Sequence, residues 1–319
     1  GKFGLGFCSV YNLTDVPSFI SGSNFVILDP HVSYLGKPGI RIDLRRKENL
    51  KILTHFENQF KPFQNIFGCD LSPSKDRIHF NGTLFRFPLR TSSQAQRSEI
   101  SNKFYSKEEC VKLFELTFKA AGNLLLFTQN IRKITLFHLR SDSTDPKEQT
   151  SLFSLSKECL EQDLSTLCNT NVLSLAANLK ESGDLRLKPM RILQKVSINL
   201  EAKEDTPWLS PLMREHSGTK LNCSWILSWA SGTSASLQDD FVDAKWALPL
   251  CGVAVPYKEK GEHLWPMPLH DLPLGFYNVG HVFCFLPLPI SSSLPLHING
   301  CFAITLDRRH LLITTEDDK

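Results

Sequence analysis

The first residues of the chain carry its densest chemistry. The sequence opens Gly1-Lys2-Phe3-Gly4-Leu5-Gly6-Phe7-Cys8-Ser9-Val10-Tyr11, with three glycines in the first seven positions. A loop without Cβ atoms lets backbone N–H groups approach a ligand closely. Phe7, Val10, Tyr11 and Thr14 then share one helical stripe, and Val16-Pro17 stops the helix. A glycine-rich loop feeding a helix N-terminus presents unpaired N–H groups and positive dipole, which suits a phosphate. The same pattern also describes an ordinary turn before a helix, and the residues alone leave both readings open. A dinucleotide fold needs a strand before the loop and an acid about twenty residues after it. Residue 1 offers no such strand, so that reading finds no support.

Other reactive side chains form weaker patterns. No Gly-x-Ser-x-Gly elbow occurs, and no catalytic set is assigned. Asp239-Asp240 with Asp243 reads either as a metal cluster or as a solvated loop edge. His281 and His297 flank apolar strands and read as core or edge histidines. Nine cysteines, none in a CxxC, argue against a zinc site or a disulfide framework. No metal ligands are assigned. Free thiols of this kind fit a reducing compartment, so the expected location is cytoplasmic. The sequons at Asn12, Asn81 and Asn222 each lie inside an expected helix or strand and are taken as chance. The net charge of +3, from 36 basic and 33 acidic residues, is too balanced to imply a nucleic-acid partner. The basic cluster Arg41, Arg45, Arg46, Lys47 lacks interleaved aromatics and reads as solvated surface. No apolar run reaches ~18 residues, so no membrane span is expected.

The elements that position the opening motif follow from periodicity. Asn24 to Leu28 is an apolar strand closed by Asp29-Pro30-His31. Residues 30–47 form a loop punctuated by glycine and proline. Glu48 to Phe60 has helical spacing. From Thr83 to Leu89 the residues alternate, with Thr83, Phe85, Phe87 and Leu89 on one face, and Pro88 puts that strand near an edge. Ser106-Lys107-Glu108-Glu109 is a capping box, and Gly122 fits the stop of the helix it starts. Ile134 to Leu139 is a strand, and polar residues 141–150 read as a linker. Beyond it Ser156 to Leu167 has a helical pattern. The stretches 191–202, 219–229, 245–255, 279–286 and 296–306 read as strands, with long loops at 231–243 and 256–275. The expected fold is α+β, with one domain over 1–140 and a second, rich in antiparallel strands, over 150–319.

Gly1-x-Phe3-Gly4-x-Gly6-Phe7-x-Ser9-x-Tyr11-x-x-x-Asp15 resembles the second glycine box of the ninety-kilodalton heat-shock chaperones, members of the Bergerat-fold ATPases. Asn81-Gly82-Thr83-Leu84-Phe85-Arg86-Phe87-Pro88-Leu89-Arg90 resembles the Gly-Thr box of the same superfamily. The likeness extends to the repeats of the sacsin family, through Asp29-Pro30-His31, Phe283 to Pro289, Leu294 to Gly300 and Arg308-Arg309. The resemblance implies that residues 1–140 are the C-terminal part of a Bergerat-type α/β sandwich and that residues 30–47 correspond to its lid. It implies contact with ATP through Gly1, Gly4, Leu5, Gly6, Phe7, Gly82 and Thr83. In that superfamily the base Glu, the magnesium-binding Asn and the adenine-reading Asp precede the glycine box. Magnesium and ATP are therefore expected only in an intact domain, and hydrolysis stays open. The implied role is a chaperone-like, ATP-responsive module whose partners are client proteins and other chaperones. The alternative is a protein-interaction scaffold with a degenerate nucleotide site. Gly1 already belongs to the motif, so the chain is expected to be a piece of a longer protein.

Overall fold

The computed structural model describes residues 5–72, 77–140, 143, 145–160, 190–202, 218–231, 250–305 and 309–311. It is an α+β chain with two compact units, one of residues 1–110 and 139–150, the other of 111–138 and 151–319. The sequence placed its division at 141–150 instead. Residues 111–138 associate with the second unit because the strand they contain joins that unit's sheet.

The first unit begins with α1 (Leu5–Cys8) and a 3-10 turn over Ser9–Asn12. The expected helix is thus a single α turn that tightens. Four strands follow, β1 (Ser18–Gly22), β2 (Asn24–Leu28), β3 (Gly39–Asp43) and β4 (Phe80–Arg86), in the order β3-β2-β1-β4 and all antiparallel. Ile20, Phe25 and Ile42 lie in register across β1, β2 and β3, with Leu84 opposite Ile20 on β4. This row packs with Leu50 and Leu53 of α2 (Lys47–His55), Phe60 of α3 (Glu57–Phe60), and Phe63. The Phe25 and Phe60 rings are 4.6 Å apart. Residues 30–47 are not one loop, because β3 pairs with β2 inside that span. Asp29, 1% exposed, folds the intervening turn by accepting N–H bonds from Ser33, Tyr34 and Leu35 at 3.2, 2.7 and 2.8 Å. Burial raises its pKa, but these bonds and nearby His31 outweigh it and hold the carboxyl below the usual range. After β4 comes α4 (Ser92–Ala95), capped by Thr91 and Gln94.

The capping box at Ser106 forms as expected. The Ser106 N–H donates to Glu109 at 2.8 Å, and the Glu109 N–H donates to Ser106 Oγ at 3.3 Å. It opens α5 (Lys107–Lys119), which ends before Gly122. Gly122 sits instead within α6 (Ala121–Leu124), where its N–H donates to Gly275 O at 2.7 Å.

Among the described residues the second unit is a curled, mixed sheet of nine strands. They are β5 (Lys133–His138), β6 (Thr150–Cys159), β7 (Met190–Ala202), β8 (Lys220–Ser231), β9 (Leu250–Lys260), β10 (His263–Pro266), β11 (Gly280–Cys284), β12 (Leu286–Ser292) and β13 (His297–Gly300). The order is β12-β11-β13-β9-β8-β7-β6-β5, with β10 paired to β9. The pair β11–β13 is parallel. The alternation read over 219–229 is real: Cys223, Trp225, Leu227 and Trp229 are buried in the core. The helix expected over Ser156 to Leu167 begins as strand, since Ser156–Cys159 pair with β7; residues 161–167 lie outside the described residues. β9 and β10 likewise form a hairpin inside the expected 256–275 loop. Cys159 is disulfide-bonded, against the expectation of free thiols, whereas Cys69, Cys223 and Cys284 are free and buried.

A Cβ on Gly122 would overlap the ring of Phe276. Helix propensity favours alanine over glycine by ~1 kcal/mol, but overpacking a core costs ~1–3 kcal/mol. Gly122→Ala is therefore expected to lower the urea midpoint of the second unit, and adding Phe276→Leu to recover part of the loss. An unchanged midpoint in Gly122→Ala would refute the packing described here.

Candidate functional site

The pleat of β1 and β4 divides their side chains between two faces. Ile20 and Leu84 turn toward the helix-covered core. Phe19 and Ser21 on β1, opposite Phe85 and Thr83 on β4, turn the other way. On that second face α1 contributes Phe7, whose ring lies 6.1 Å from Phe19 and 6.0 Å from Phe85. Phe19 and Phe85 are 5.2 Å apart, Tyr11 is 6.4 Å from Phe7, and Phe87 stacks on Phe85 at 5.9 Å. The result is an aromatic face open to water, with Phe85 45% exposed.

The residues singled out for nucleotide contact distribute as follows. Gly1 and Gly4 lie outside the described residues. Leu5 starts α1. Gly6 is exposed, and a Cβ there would meet nothing within 4 Å. Phe7 rests on the aromatic face. Gly82 has φ +155, and a Cβ on it would press against Phe80 at 3.3 Å. Thr83 is exposed, its Oγ1 2.8 Å from Ser21 Oγ. Phe7 and Thr83, 76 positions apart by number (83 less 7), thus belong to one face of the unit. A pocket of about 330 Å³ in this unit, lined by Leu53, Phe60, Gln64 and Leu71, involves none of these residues.

One residue joins the two motifs. Arg90, the last of the Gly-Thr stretch, is 3% exposed. Its Nε donates to Asp15 at 2.7 Å, and Nη1 donates to Asn12 O at 2.9 Å and Lys103 O at 3.4 Å. Nη2 donates to Tyr11 O. The Arg90 N–H donates to Leu13 O at 3.1 Å. Asp15, the last residue of the glycine-box pattern, also accepts from Ser98 Oγ at 2.8 Å. Both residues belong to the motifs that carry the resemblance, and the sequence alone assigns neither a role. An arginine and an aspartate closing two motifs were the available signal, but nothing in their spacing pairs them.

Candidates in the second unit have other surroundings. Trp225 and Trp229 are core, while Trp265 on β10 is 56% exposed. Asp239, Asp240, Asp243 and Arg308 lie outside the described residues. The stretches 283–289 and 294–300 build β11, β12 and β13, with Phe283, His297 and Asn299 fully buried.

A family model described as the Sacsin domain matches residues 1–151, the stretch that holds the glycine box, the Gly-Thr box and the Asp15–Arg90 pair. Human sacsin is 30% identical over 357 aligned positions that cover 98% of this chain. The chain belongs to the sacsin family. It spans 8% of the length of human sacsin and is a fragment of a larger protein. Within the Sacsin domain, then, the open aromatic face and the ion pair that holds α1 beside it are the features built from the motif residues.

Apolar rings left in water bind hydrophobic dyes. Residues 1–319 are expected to enhance the fluorescence of such a dye. Replacing Phe7 and Phe85 by serine together is expected to remove at least about half of that signal, since their rings join the other three. Equal signal from the double variant would place the dye site elsewhere.

Proposed function

We propose that the first unit is the C-terminal half of a Bergerat-type nucleotide-binding domain, and that the chain is part of a chaperone-like, ATP-responsive module. The observation that carries this reading is the meeting of the two motifs. Phe7 of the glycine box and Thr83 of the Gly-Thr box reach the same open face, and Arg90 ties their segments together. In this reading the backbone of Gly1, Gly4, Leu5, Gly6 and Phe7 approaches the phosphates of ATP. Gly82 and Thr83 stand at the adenine side, with the Thr83 hydroxyl as a donor or acceptor. Magnesium and the groups that would hold it come from outside this chain. The partners are client proteins and other chaperones, in the cytoplasm, and a change at the nucleotide face alters how apolar surface is offered to them.

The scaffold reading has an observation of its own. In the first unit Tyr34, Phe56 and Phe85 are between 45% and 65% exposed, which is a large aromatic display for a unit that only binds nucleotide. In that case these exposed rings bind protein whether or not ATP is present.

The half-site sets the expected affinity. Each hydrogen bond to a charged phosphate contributes ~1.5–3 kcal/mol, while each loop residue fixed costs ~1–2 kcal/mol. A few such bonds barely offset the ordering of the glycine loop. Calorimetry is expected to show no micromolar binding of magnesium-ATP by residues 1–319. A longer chain carrying about one further domain's length, ~150 residues, upstream is expected to bind it. Gly6→Val in the longer chain is expected to abolish binding without shifting its melting temperature, since a Cβ at Gly6 meets nothing within 4 Å among the described residues. Micromolar affinity in residues 1–319 alone would contradict the half-site, and no affinity in the longer chain would favour the scaffold.

A further inference from the structure

We infer that the His281–His297 pair in the second unit is a proton-operated latch, which holds β13 against β11 while His297 is neutral and releases it when His297 is protonated. This does not rest on the nucleotide reading, which concerns the first unit.

The ladder between β11 and β13 is short, with only Val282↔Ile298 and Phe283↔Asn299 in register. Beside it, β11 shifts register against β12 between His281 and Phe283. At that irregularity a side chain takes the place of a backbone acceptor. The His281 N–H donates to His297 Nδ1 at 3.2 Å. An imidazole that accepts at Nδ1 carries its proton on Nε2, and it can accept only while neutral. Two residues on, Asn299 repeats the device, its Oδ1 accepting the Phe285 N–H at 2.7 Å.

His297 is fully buried. Trp225 of β8 stacks on it at 5.2 Å, Phe283 of β11 lies at 5.4 Å, and Ala254 of β9 is its register partner. The titratable groups that face it are His281 of β11, at 6.2 Å, and Tyr277, at 6.3 Å. Neither is a carboxylate that could stabilise an imidazolium. Its Nε2 has no hydrogen-bond partner among the described residues. The indole of Trp225 favours a cation, but loss of water opposes it more strongly. Burial, with His281 beside it, pushes the pKa of His297 down to about 3. Protonation at Nδ1 would set N–H against N–H, leave the His281 amide without its acceptor, and place a charge among rings.

The sign follows from linkage. The folded value lies below the unfolded one of about 6.5, so this stabilisation is complete above that pH and is lost as the pH falls from there toward 3. Between pH 6 and 5, above the range where carboxylates titrate, the folding constant of the second unit is expected to fall close to tenfold, about one proton per unit of pH. His297→Asn keeps an acceptor oxygen near the Nδ1 position and cannot be protonated. In urea titrations of residues 1–319, its fall over the same interval is expected to be under about twofold, the residue of weaker titrations elsewhere. Equal falls in the two proteins would overturn the latch. Should His297→Asn not fold, ¹⁵N spectra of histidine-labelled wild-type protein decide. The expected result is a His297 that stays in the Nε2–H form down to pH 5. Titration of His297 near its ordinary value in the folded protein would overturn the proposal.

Discussion

The first unit depends on where one guanidinium finds its partners. Arg90 cannot shed its proton, so burying it requires acceptors for the whole fork. Asp15 takes Nε, the carbonyls of Asn12 and Lys103 take Nη1, and that of Tyr11 takes Nη2, so each nitrogen of the fork has an acceptor. Those acceptors come from the end of the 3-10 turn, the segment that leads from it into β1, and the stretch after α4. Satisfying them fixes the exit of the first turn against the end of β4, and so sets Phe7 over Phe19 and Phe85. A lysine offers a point charge and fewer directions, and could not hold these segments at once.

The sheet of this unit has one finished face and one open face. On the finished face Ile20, Phe25 and Ile42 are at most 8% exposed, and each such burial contributes about 1.5–3 kcal/mol. On the other, five aromatic rings contact one another yet keep part of their surface in water. The core of the second unit is closed by comparison, with Trp225, Trp229 and Phe283 at zero exposure. The second unit has exposed apolar residues too, among them Leu116 and Trp265, but in the first unit the open rings meet as one cluster built from the motif residues.

Sequence patterns exposed those elements whose burial follows a simple period. β2 was legible over Asn24–Leu28 because it is a continuous apolar run, and β8 because Cys223, Trp225, Leu227 and Trp229 alternate with polar neighbours. α5 announced itself through its capping box. The misses have physical causes. β1 is five residues holding two serines, and its Ser18 is buried by neighbours rather than by its own character. β3 hides among glycines and prolines that suggest a loop. β6 buries Leu152 and Phe153 in succession, which breaks the period of two, and the leucines that follow it mimic a helix. Gly122 has the type of a helix stop but serves as space for Phe276. Of the candidate site, the motif residues were legible. The Asp15–Arg90 pair was not, because a contact across 75 positions leaves no trace in local periodicity.

The central claim is that the glycine box and the Gly-Thr strand form one structure through this ion pair. A double-mutant cycle on Asp15→Ala and Arg90→Ala, read as urea unfolding of the first unit, measures it most directly. Removing one partner of a buried pair strands the other, at a cost of ~3–5 kcal/mol, so the two losses should overlap. The account predicts a coupling energy of about 2–3 kcal/mol, at the upper end of what contacting residues show. Losses that add to within about 0.5 kcal/mol, as distant sites do, would contradict it.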